Sequence, residues 1–201
     1  MSLILRATKR EEYRETEIVI REAFWDLFRP GCDEHLMVHQ LRNSADYLPD
    51  LDYVAVEDDQ IIGHILYSKS KVIGDDSCEH GLICFGPVGV LPTYQKRGVG
   101  SQLIIETLHI AKRKGYRGVG IFGNPTYYHR FGFVNAERFG ITTSDGSNFD
   151  DFMVLELVPG SLDGIKGKYY YSIGFEINKN ALELFDSEFP PKEKCFLSNA
   201  K

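Results

Sequence analysis

The sequence predicts a mixed α/β domain with helices on both faces of one sheet. Apolar residues recur in two periods along the chain, and the elements that these periods predict follow the order β-α-α-β-β-β-α-β-α-β-β. Hydrophobic residues make up 43% of the composition, which is enough to bury a core and excludes a disordered chain. A length of 201 residues fits one domain with an appendage better than two full domains.

The first predicted elements are a strand and two helices. Residues 3–6, with the sequence Leu-Ile-Leu-Arg, predict a short strand. Thr8 and Glu11 match the T-x-x-E capping box, which predicts that a helix begins there. Apolar side chains at helical spacing extend this helix to Phe28, and a second, shorter helix follows from Asp33 as its N-cap.

The period then changes to the alternation that is typical of strands. Residues 53–56 and 61–67 flank an acidic turn at residues 57–60, and together they predict a β-hairpin. Residues 82–90 are rich in β-branched side chains and end just before Pro92, so they predict a central strand.

The second half of the chain begins with a clearly bounded helix at residues 98–114. Its apolar residues recur at helical spacing, its last turn is basic, and Gly115 occupies the C′ position. The pattern then predicts a strand, a short helix, two strands and a terminal helix, at residues 118–122, 127–131, 152–158, 168–177 and 180–189.

Composition and charge narrow the class of protein. The 23 basic and 29 acidic side chains leave a net charge of −6, so no long-range field attracts the chain to nucleic acid or anionic lipid. The apolar runs are far shorter than the roughly 20 residues of a membrane helix, and the N-terminus lacks the apolar core of a secretion signal. The cysteines have no C-x-x-C spacing, which argues against disulfides and zinc knuckles. We expect a cytoplasmic enzyme or binding protein without membrane or nucleic-acid partners.

The most informative stretch joins the predicted central strand to the helix that follows it. Backbone N–H groups at the start of this helix converge at the positive end of its dipole, and Gly98 and Gly100 let a phosphate approach without a Cβ atom in the way. Lys96 and Arg97 add local positive charge. The loop lacks the G-K-[ST] ending of a nucleotide triphosphatase, and no G-x-G-x-x-G follows the strand. The stretch therefore predicts a phosphate site, and an ordinary glycine turn is the alternative.

This stretch resembles the signature of the GNAT family of N-acetyltransferases, Q/R-x-x-G-x-G/A after a V-x-V-x-P strand. The matching residues are Val88-Gly-Val90-Leu-Pro92 and Gln95-Lys-Arg-Gly98-Val-Gly100. A second landmark, N-P-T-Y-Y-H-R-F-G-F at residues 124–133, is similar to the family's Asn … Tyr-x-x-x-Gly-Phe segment.

The resemblance covers roughly residues 3–140, and the second landmark looks like that of a bacterial subgroup with an extra C-terminal strand region. It implies an N-acetyltransferase domain at residues 1–145. Residues 146–201 would then be a strand and helix extension of the same domain.

The resemblance also implies a mostly antiparallel, twisted sheet that splays between strands at about residues 82–91 and 117–123. Acetyl-coenzyme A would lie in that opening as the acetyl donor. Gly86, Pro87 and Gly89 weaken strand pairing at this edge, which suits a slot for an extended ligand. The implied cofactor-binding residues are Val88, Gly89, Val90, Gln95, Lys96, Arg97, Gly98, Val99, Gly100, Ser101 and Asn124.

Tyr128 matches the family tyrosine that protonates the departing thiolate, and an amide near Val88 would polarise the thioester carbonyl. A tyrosine pKa of about 10 against about 8.5 for a thiol makes full proton transfer uphill by about 2 kcal/mol, so we expect a hydrogen bond to sulfur first. Burial as an aromatic beside Phe131 and Phe133 is the alternative role. Asn124 stands four residues before Tyr128, which is closer than in many relatives.

The implied acceptor is a primary amine of a small molecule or peptide, which would attack directly in a ternary complex. An amine with a lysine-like pKa of about 10.4 is neutral at pH 7 only at a cost of roughly 4.6 kcal/mol, so a base should assist. Glu57, Asp59, His80 or a water relay could supply it, although ordinary surface roles are the alternative. The end of the first helix would shape the acceptor pocket or be buried in the core, at Phe24, Trp25, Phe28 and Arg29.

Two further patterns bear on the chemistry. Cys84 shares strand parity with Val88 and Val90, which predicts the same face, but direct transfer needs no thiol nucleophile. His35 and His39 stand at i, i+4 without an evident third ligand, so no metal is expected. The alternative function is a non-catalytic module that binds coenzyme A or a protein partner on the same scaffold. We expect a monomer or homodimer.

Overall fold

The protein is described by a computed structural model over residues 3–195, and within that range one mixed sheet carries the fold. Its strands are β1 (Ile4–Ala7), β2 (Tyr53–Glu57), β3 (Gln60–Gly74), β4 (Glu79–Val90), β5 (Gly118–Phe122), β6 (Val134–Asn135), β7 (Ile141–Thr143), β8 (Phe152–Glu156) and β9 (Gly167–Tyr170). The helices are α1 (Tyr13–Phe24), α2 (Glu34–Arg42), α3 (Val99–Arg113), α4 (Pro125–Tyr128) and α5 (Lys179–Asp186). No helix among these residues is long and apolar enough to cross a membrane.

The start and end of the first helix differ from the prediction. The capping box forms one residue later than the Thr8 pattern indicates, because the backbone N–H of Lys9 donates to Glu12 Oε2 at 2.9 Å. A 3-10 turn therefore precedes α1. The helix ends at Phe24 rather than Phe28, since Asp26 adopts a left-handed conformation at φ 56° and its carboxylate accepts a hydrogen bond from the backbone of Gly31.

The sheet order is β1-β2-β3-β4-β5-β8-β6. Neighbours in this order are antiparallel except for β4 and β5, which are parallel and share the single residue pair Ile83 and Val119. The two central strands therefore diverge beyond that pair. The predicted fold class, a mostly antiparallel sheet that opens between central strands, is confirmed.

Two glycines on neighbouring strands show that helices cover both faces of this sheet. A Cβ atom on Gly63 of β3 would lie 3.2 Å from Val99 and Leu103 of α3. A Cβ atom on Gly89 of β4 would lie 2.8 Å from Ile20 of α1. Each helix thus packs directly on glycine backbone, α3 on one face and α1 on the other.

The C-terminal residues belong to the same sheet and pack on the same helices. Strand β9 pairs antiparallel with β3 and parallel with β7, and it ends at Tyr170, earlier than predicted. Helix α5 is held to α1 by the ion pair between Arg21 Nε and Asp186 Oδ1, at 2.8 Å with both side chains largely buried.

The two histidines of α2 contact separate carboxylates. His39 Nδ1 lies 3.0 Å from Glu17 Oε1, whereas the fully buried His35 lies 3.2 Å from Asp186 Oδ1. Among residues 3–195, no group of three or more His, Cys, Asp or Glu side chains is arranged to hold a metal ion.

Candidate active site

The gap between β4 and β5 begins where a β-bulge interrupts the ladder between β3 and β4. Tyr67 pairs with Phe85 and Ile65 pairs with Val88, so β4 contains one more residue than β3 over this stretch. Gly86 lies within the bulge at φ 146°, a conformation that side chains rarely adopt. The bulge bends β4 at the point where it leaves β5.

Beyond the bulge, the backbone of β4 has one open edge. Leu91 donates its N–H to Ile62 of the β3 side at 2.9 Å, and the register is regular from there back to Val88. Because alternate residues of an antiparallel pair direct their polar groups to opposite sides, Val88 and Val90 direct theirs into the gap. A hydrogen bond supports this orientation of Val90, because Gln95 Nε2 donates to the carbonyl of Val90 at 3.0 Å.

The loop at residues 95–101 gathers a second set of backbone donors. Lys96 and Gly98 both have positive φ, 61° and 83°, and Gly98 is the N-cap of α3. Within residues 3–195, the N–H groups of residues 96–101 donate to no protein acceptor. Six adjacent donors at the positive end of a 15-residue helix are an arrangement that favours negative charge.

The arginine of this loop forms an ion pair with an acidic residue of β2. Arg97 Nη2 lies 2.7 Å from Glu57 Oε1, and Glu57 is only 7% exposed at the end of β2. The expectation that Glu57 belongs to a solvated turn is therefore wrong, although Asp58 and Asp59 next to it are exposed. The ion pair fixes the loop against the hairpin.

Two adjoining cavities occupy the gap and its mouth. The loop at residues 95–101 is called the donor loop here, for its free N–H groups. The loop cavity, of about 610 Å³, runs along the donor loop, and the inner cavity, of about 490 Å³, lies between β4 and β5. Both are bordered by Phe24, Phe28, Val88, Tyr127 and Tyr128, so together they form one trough. The loop cavity is completed by Leu27, Val90, Tyr94, Gln95, Lys96, Gly98, Val99, Gly100, Ser101 and Arg130, and the inner cavity by Met37, Cys84, Phe85, Gly86, Pro87, Phe122, Gly123, Asn124, Tyr171 and Phe175.

Tyr128 stands where the two cavities meet. Its ring packs against Phe85 and Phe133 with centroids 6.0 and 5.9 Å apart, and it lies over Gly123, whose missing Cβ would overlap it. Its hydroxyl forms no hydrogen bond with another residue of the described chain. Burial raises the pKa of Tyr128 above its usual value, so the hydroxyl is protonated at neutral pH and can donate a hydrogen bond into the trough.

The short helix α4 sets the position of this tyrosine. Asn124 caps the helix, since its Oδ1 accepts a hydrogen bond from the backbone N–H of Thr126 at 2.9 Å, and Pro125 occupies the first helical position. Asn124 also lines the inner cavity. Its side-chain oxygen holds the turn that carries Tyr128.

The remaining predicted residues lie outside the trough. Gly89 packs against α1, and Arg97 points to Glu57. Asp59 is exposed in the hairpin turn, and His80 lies 3.9 Å from Asp76 in another groove of the described chain. Neither cavity is lined by any of the three side chains predicted as the base.

The residues that form the splayed strands, the donor loop and Tyr128 fall within the match to one protein-family model. The family model described as the acetyltransferase (GNAT) family matches residues 18–133, more than half of the chain. This chain belongs to the GNAT family of acetyltransferases. The resemblance drawn from the two sequence motifs and the prediction of an acyltransferase are confirmed at the level of the family.

Relatives of this GNAT chain include both curated sequences and solved structures. The uncharacterized N-acetyltransferase YhbS of Escherichia coli K12 is 32% identical over 139 residues, which cover 69% of this chain and 80% of YhbS. The crystal structure of YhbS from Escherichia coli in complex with CoA has a TM-score of 0.76 at 26% identity, covering 86% of this chain and 91% of YhbS. A GNAT acetyltransferase from Brucella melitensis in complex with acetyl-CoA has a TM-score of 0.69 at 29% identity, covering 87% and 99%.

The inner cavity of this GNAT chain also contains residues that the sequence analysis missed. Tyr171 and Phe175, which follow β9, form one wall with Phe122 of β5. The ring centroid of Tyr171 lies 5.6 Å from that of Phe122 and 5.8 Å from that of Phe175, and both contacts are edge to face. The aromatic run at residues 169–171 was the available signal, but it carried no information on which strand would lie beside it.

The predicted acceptor-pocket residues divide into two pairs. Phe24 and Phe28 line both cavities. Trp25 points away from the trough, because its indole donates to the carbonyl of Glu193 at 2.9 Å, and Arg29 pairs with Asp33 at 2.6 Å.

Cys84 does not share the face of Val88 and Val90 as its parity predicts. The extra residue in the β4 bulge reverses the alternation, so Phe85 rather than Cys84 packs in the same core as the two valines. Cys84 lies near the hydroxyl of Tyr169, and burial raises the pKa of its thiol to about 12.

Proposed function

We infer that this chain transfers an acetyl group from acetyl-CoA to a primary amine of a small molecule or peptide, by direct attack in a ternary complex. The observation that carries the proposal is one trough in which three features meet: the open edge at Val88 and Val90, the free N–H groups of residues 96–101, and Tyr128. The solved relatives with CoA and acetyl-CoA support the choice of donor.

The donor loop suits the pyrophosphate of the cofactor. Its N–H groups lie at the helix terminus where negative charge is favoured, and Gly98 and Gly100 leave the backbone open to a close approach. The exposed Lys96 adds a positive charge at the mouth of the loop cavity. Arg97 would act indirectly, because its ion pair with Glu57 fixes the loop.

The edge of β4 suits the extended pantetheine arm. An amide chain of that kind pairs with free strand groups as an added strand would, and Val88 and Val90 supply such groups on the gap side. The carbonyl of Val90 already accepts a hydrogen bond from Gln95, which leaves its second lone pair for the ligand. Gln95 would therefore position the edge that the arm contacts.

The chemistry needs polarisation and positioning more than a covalent step. As the amine nitrogen attacks the thioester carbonyl, the oxygen gains charge, and a backbone N–H at Val88 would stabilise it. The C–S bond then breaks, and the Tyr128 hydroxyl donates a hydrogen bond to the departing sulfur. Burial raises the pKa of Tyr128 further above that of a thiol, which favours hydrogen bonding over complete proton transfer.

The test is the release of free thiol from acetyl-CoA with a panel of amines, together with calorimetry of acetyl-CoA binding. We expect submillimolar binding, amine-dependent thiol release and initial-rate lines that converge. Binding without turnover by any amine would instead indicate the non-catalytic module. The absence of acetyl-CoA binding would refute both functions.

Replacement of Cys84 with alanine should leave most of the activity intact. The thiol is buried and its pKa lies near 12, so it is protonated at neutral pH and is a poor nucleophile. Steady-state rates and mass spectrometry of the enzyme after mixing with acetyl-CoA would measure this. Parallel initial-rate lines and an acetyl group trapped on Cys84 would establish a covalent route, with the exposed Cys78 as the control for nonspecific acetylation.

Replacement of Gly123 with alanine should lower kcat by at least about 10-fold. The new methyl group would overlap the ring of Tyr128, whose Cδ2 atom lies 2.9 Å from the Cβ position, and small displacements of a catalytic group are costly. Gly81→Ala is the matched control, because a Cβ atom on that strand glycine has no heavy atom within 4 Å. Equal activity of the two variants would contradict a positioned role for the Tyr128 ring.

A further inference from the structure

We propose that the acceptor is a primary amine carried on an aromatic or other apolar body without further charge, and that it enters the inner cavity as the free base. This proposal rests on the proposed function and specifies its acceptor. The geometry that points to it is a cavity of about 490 Å³ walled by aromatic rings, without a carboxylate or imidazole among its described lining residues.

The rings that make the wall come from distant parts of the chain. Phe24 and Phe28 come from α1 and the loop after it, Phe122 from β5, and Tyr171 and Phe175 from the segment after β9. Phe122 also stacks on the buried Phe152, with ring planes 16° apart at a centroid distance of 4.9 Å. A cavity of this size and lining favours a body of one or two rings, because burial of apolar surface drives binding.

The polar groups of the inner cavity can orient an amine by hydrogen bonding, but they cannot balance a charge on it. The titratable lining residues are Cys84, Tyr127, Tyr128 and Tyr171. Burial holds the pKa of Cys84 near 12 and raises that of Tyr128, so both are neutral at pH 7 and neither accepts a proton. The charged side chains that line the adjoining loop cavity, Lys96 and Arg130, are both cations. An extra carboxylate or ammonium on the acceptor would therefore lie against this aromatic wall without an oppositely charged partner among the described lining residues.

Aromatic rings also attract ammonium ions, but that attraction does not yield product. An ammonium has no lone pair for attack on the thioester, and none of the residues described as lining the cavity is a carboxylate or imidazole that could deprotonate it. The amine must therefore lose its proton before it enters, and only about 1 in 2,500 molecules of an amine with a pKa of about 10.4 is free base at pH 7. The rate should follow the free-base fraction of the acceptor.

The transfer balances without an external base. The amine nitrogen forms a bond to the acetyl carbon, the carbon–sulfur bond breaks, and the electron pair of that bond leaves on sulfur. The proton that the nitrogen loses ends on that sulfur, so the products are the amide and free coenzyme A. Tyr128, at the junction of the cavities, is placed to hydrogen-bond the sulfur as charge develops on it.

The test compares amines that share one body and differ in charge. We expect phenethylamine to exceed phenylalanine, which adds a carboxylate, and 4-(aminomethyl)phenethylamine, which adds an ammonium, by at least about 100-fold in kcat/KM. Its kcat/KM should rise about tenfold per pH unit up to the pKa of the amine itself. A plateau that begins near pH 7 would reveal a protein base and overturn entry as the free base.

Two neighbouring tyrosines provide a matched pair of variants. Tyr171 lines the inner cavity and also borders a neighbouring groove, whereas Tyr170 lines that groove and not the cavity, and the two are similarly exposed at 43% and 39%. Tyr171→Glu should reduce the preference for phenethylamine over 4-(aminomethyl)phenethylamine by at least about 10-fold without changing acetyl-CoA affinity, and Tyr170→Glu should leave the preference unchanged. The same preference in both variants would overturn the assignment of this wall to the acceptor.

The failure of this proposal is distinguishable from the failure of the proposed function. Glucosamine, spermidine or a lysine peptide acetylated as fast as phenethylamine would refute the apolar acceptor and leave the acetyltransferase intact. Acetyl-CoA binding without thiol release in the presence of any of these amines would refute the acetyltransferase function, and the proposed acceptor with it.

Discussion

Gly100→Leu should weaken acetyl-CoA binding at least about 100-fold, which corresponds to about 2.7 kcal/mol. Gly100 lies in the first turn of α3, and a Cβ atom there would stand 3.5 Å from the hydroxyl of Tyr127 and 3.6 Å from Cγ2 of Val90. A leucine side chain would extend from that point into the loop cavity, between the strand edge and the tyrosine. Leucine also forms helix better than glycine, so the thermal unfolding temperature should be unchanged or higher.

The measurement is titration calorimetry with acetyl-CoA beside thermal unfolding of the unliganded protein. A second pair of variants separates backbone strain from ligand contact, since Gly98 and Gly115 flank α3 with φ of 83° and 84°. Alanine at either position should cost roughly 1–2 kcal/mol of stability. Only Gly98→Ala should also weaken acetyl-CoA binding. Unchanged affinity in Gly100→Leu would show that the cofactor binds elsewhere.

Tyr128→Phe should lower kcat by about 10- to 1,000-fold while the Kd for acetyl-CoA stays the same. The substitution keeps the ring, which fills the space over Gly123, and removes only the hydroxyl that faces the trough. Because burial raises the pKa of Tyr128, the hydroxyl stays protonated as the pH rises, and the wild-type rate should not fall between pH 7 and about pH 9.5.

Tyr127→Phe is the matched control for this substitution. The two tyrosine rings are adjacent, with centroids 5.0 Å apart, and both border the same two cavities. The hydroxyl of Tyr127 lies on the Gly100 side, so its loss should change cofactor affinity more than kcat. A fully active Tyr128→Phe enzyme would leave Tyr128 with a packing role beside Phe85 and Phe133.

Much of the proposed cofactor side of the site follows from local sequence. The strand, loop and helix between Val88 and Ser101 are contiguous, and Gly98 has the left-handed conformation that its residue type favours. Asn124 and Pro125 likewise start the turn that positions Tyr128. Each of these features depends on residues a few positions apart. The sequence pattern predicted the loop before α3, but it placed the short helix at residues 127–131, whereas the helix begins at Pro125 with Asn124 as its cap.

The proposed acceptor side could not be predicted in this way. Its wall combines Phe28, Phe122 and Tyr171, which come from three separate parts of the chain. The ion pair between the buried Glu57 and the half-exposed Arg97 joins residues 40 positions apart, and the carboxylate therefore looked like part of a solvated turn. No local pattern reports such pairings, because they depend on which surfaces the sheet brings together.

The sequence by itself determined the fold class, the family motifs and the donor loop, because backbone conformation and helix termini are set by neighbouring residues. The tertiary structure alone decided which side chains line the inner cavity. One extra residue in the β4 bulge placed Cys84 away from Val88, and the pairing of β9 with β3 brought Tyr171 to the gap. Strand register and long-range packing are collective properties of the folded chain, so a shift of one residue changes which faces meet.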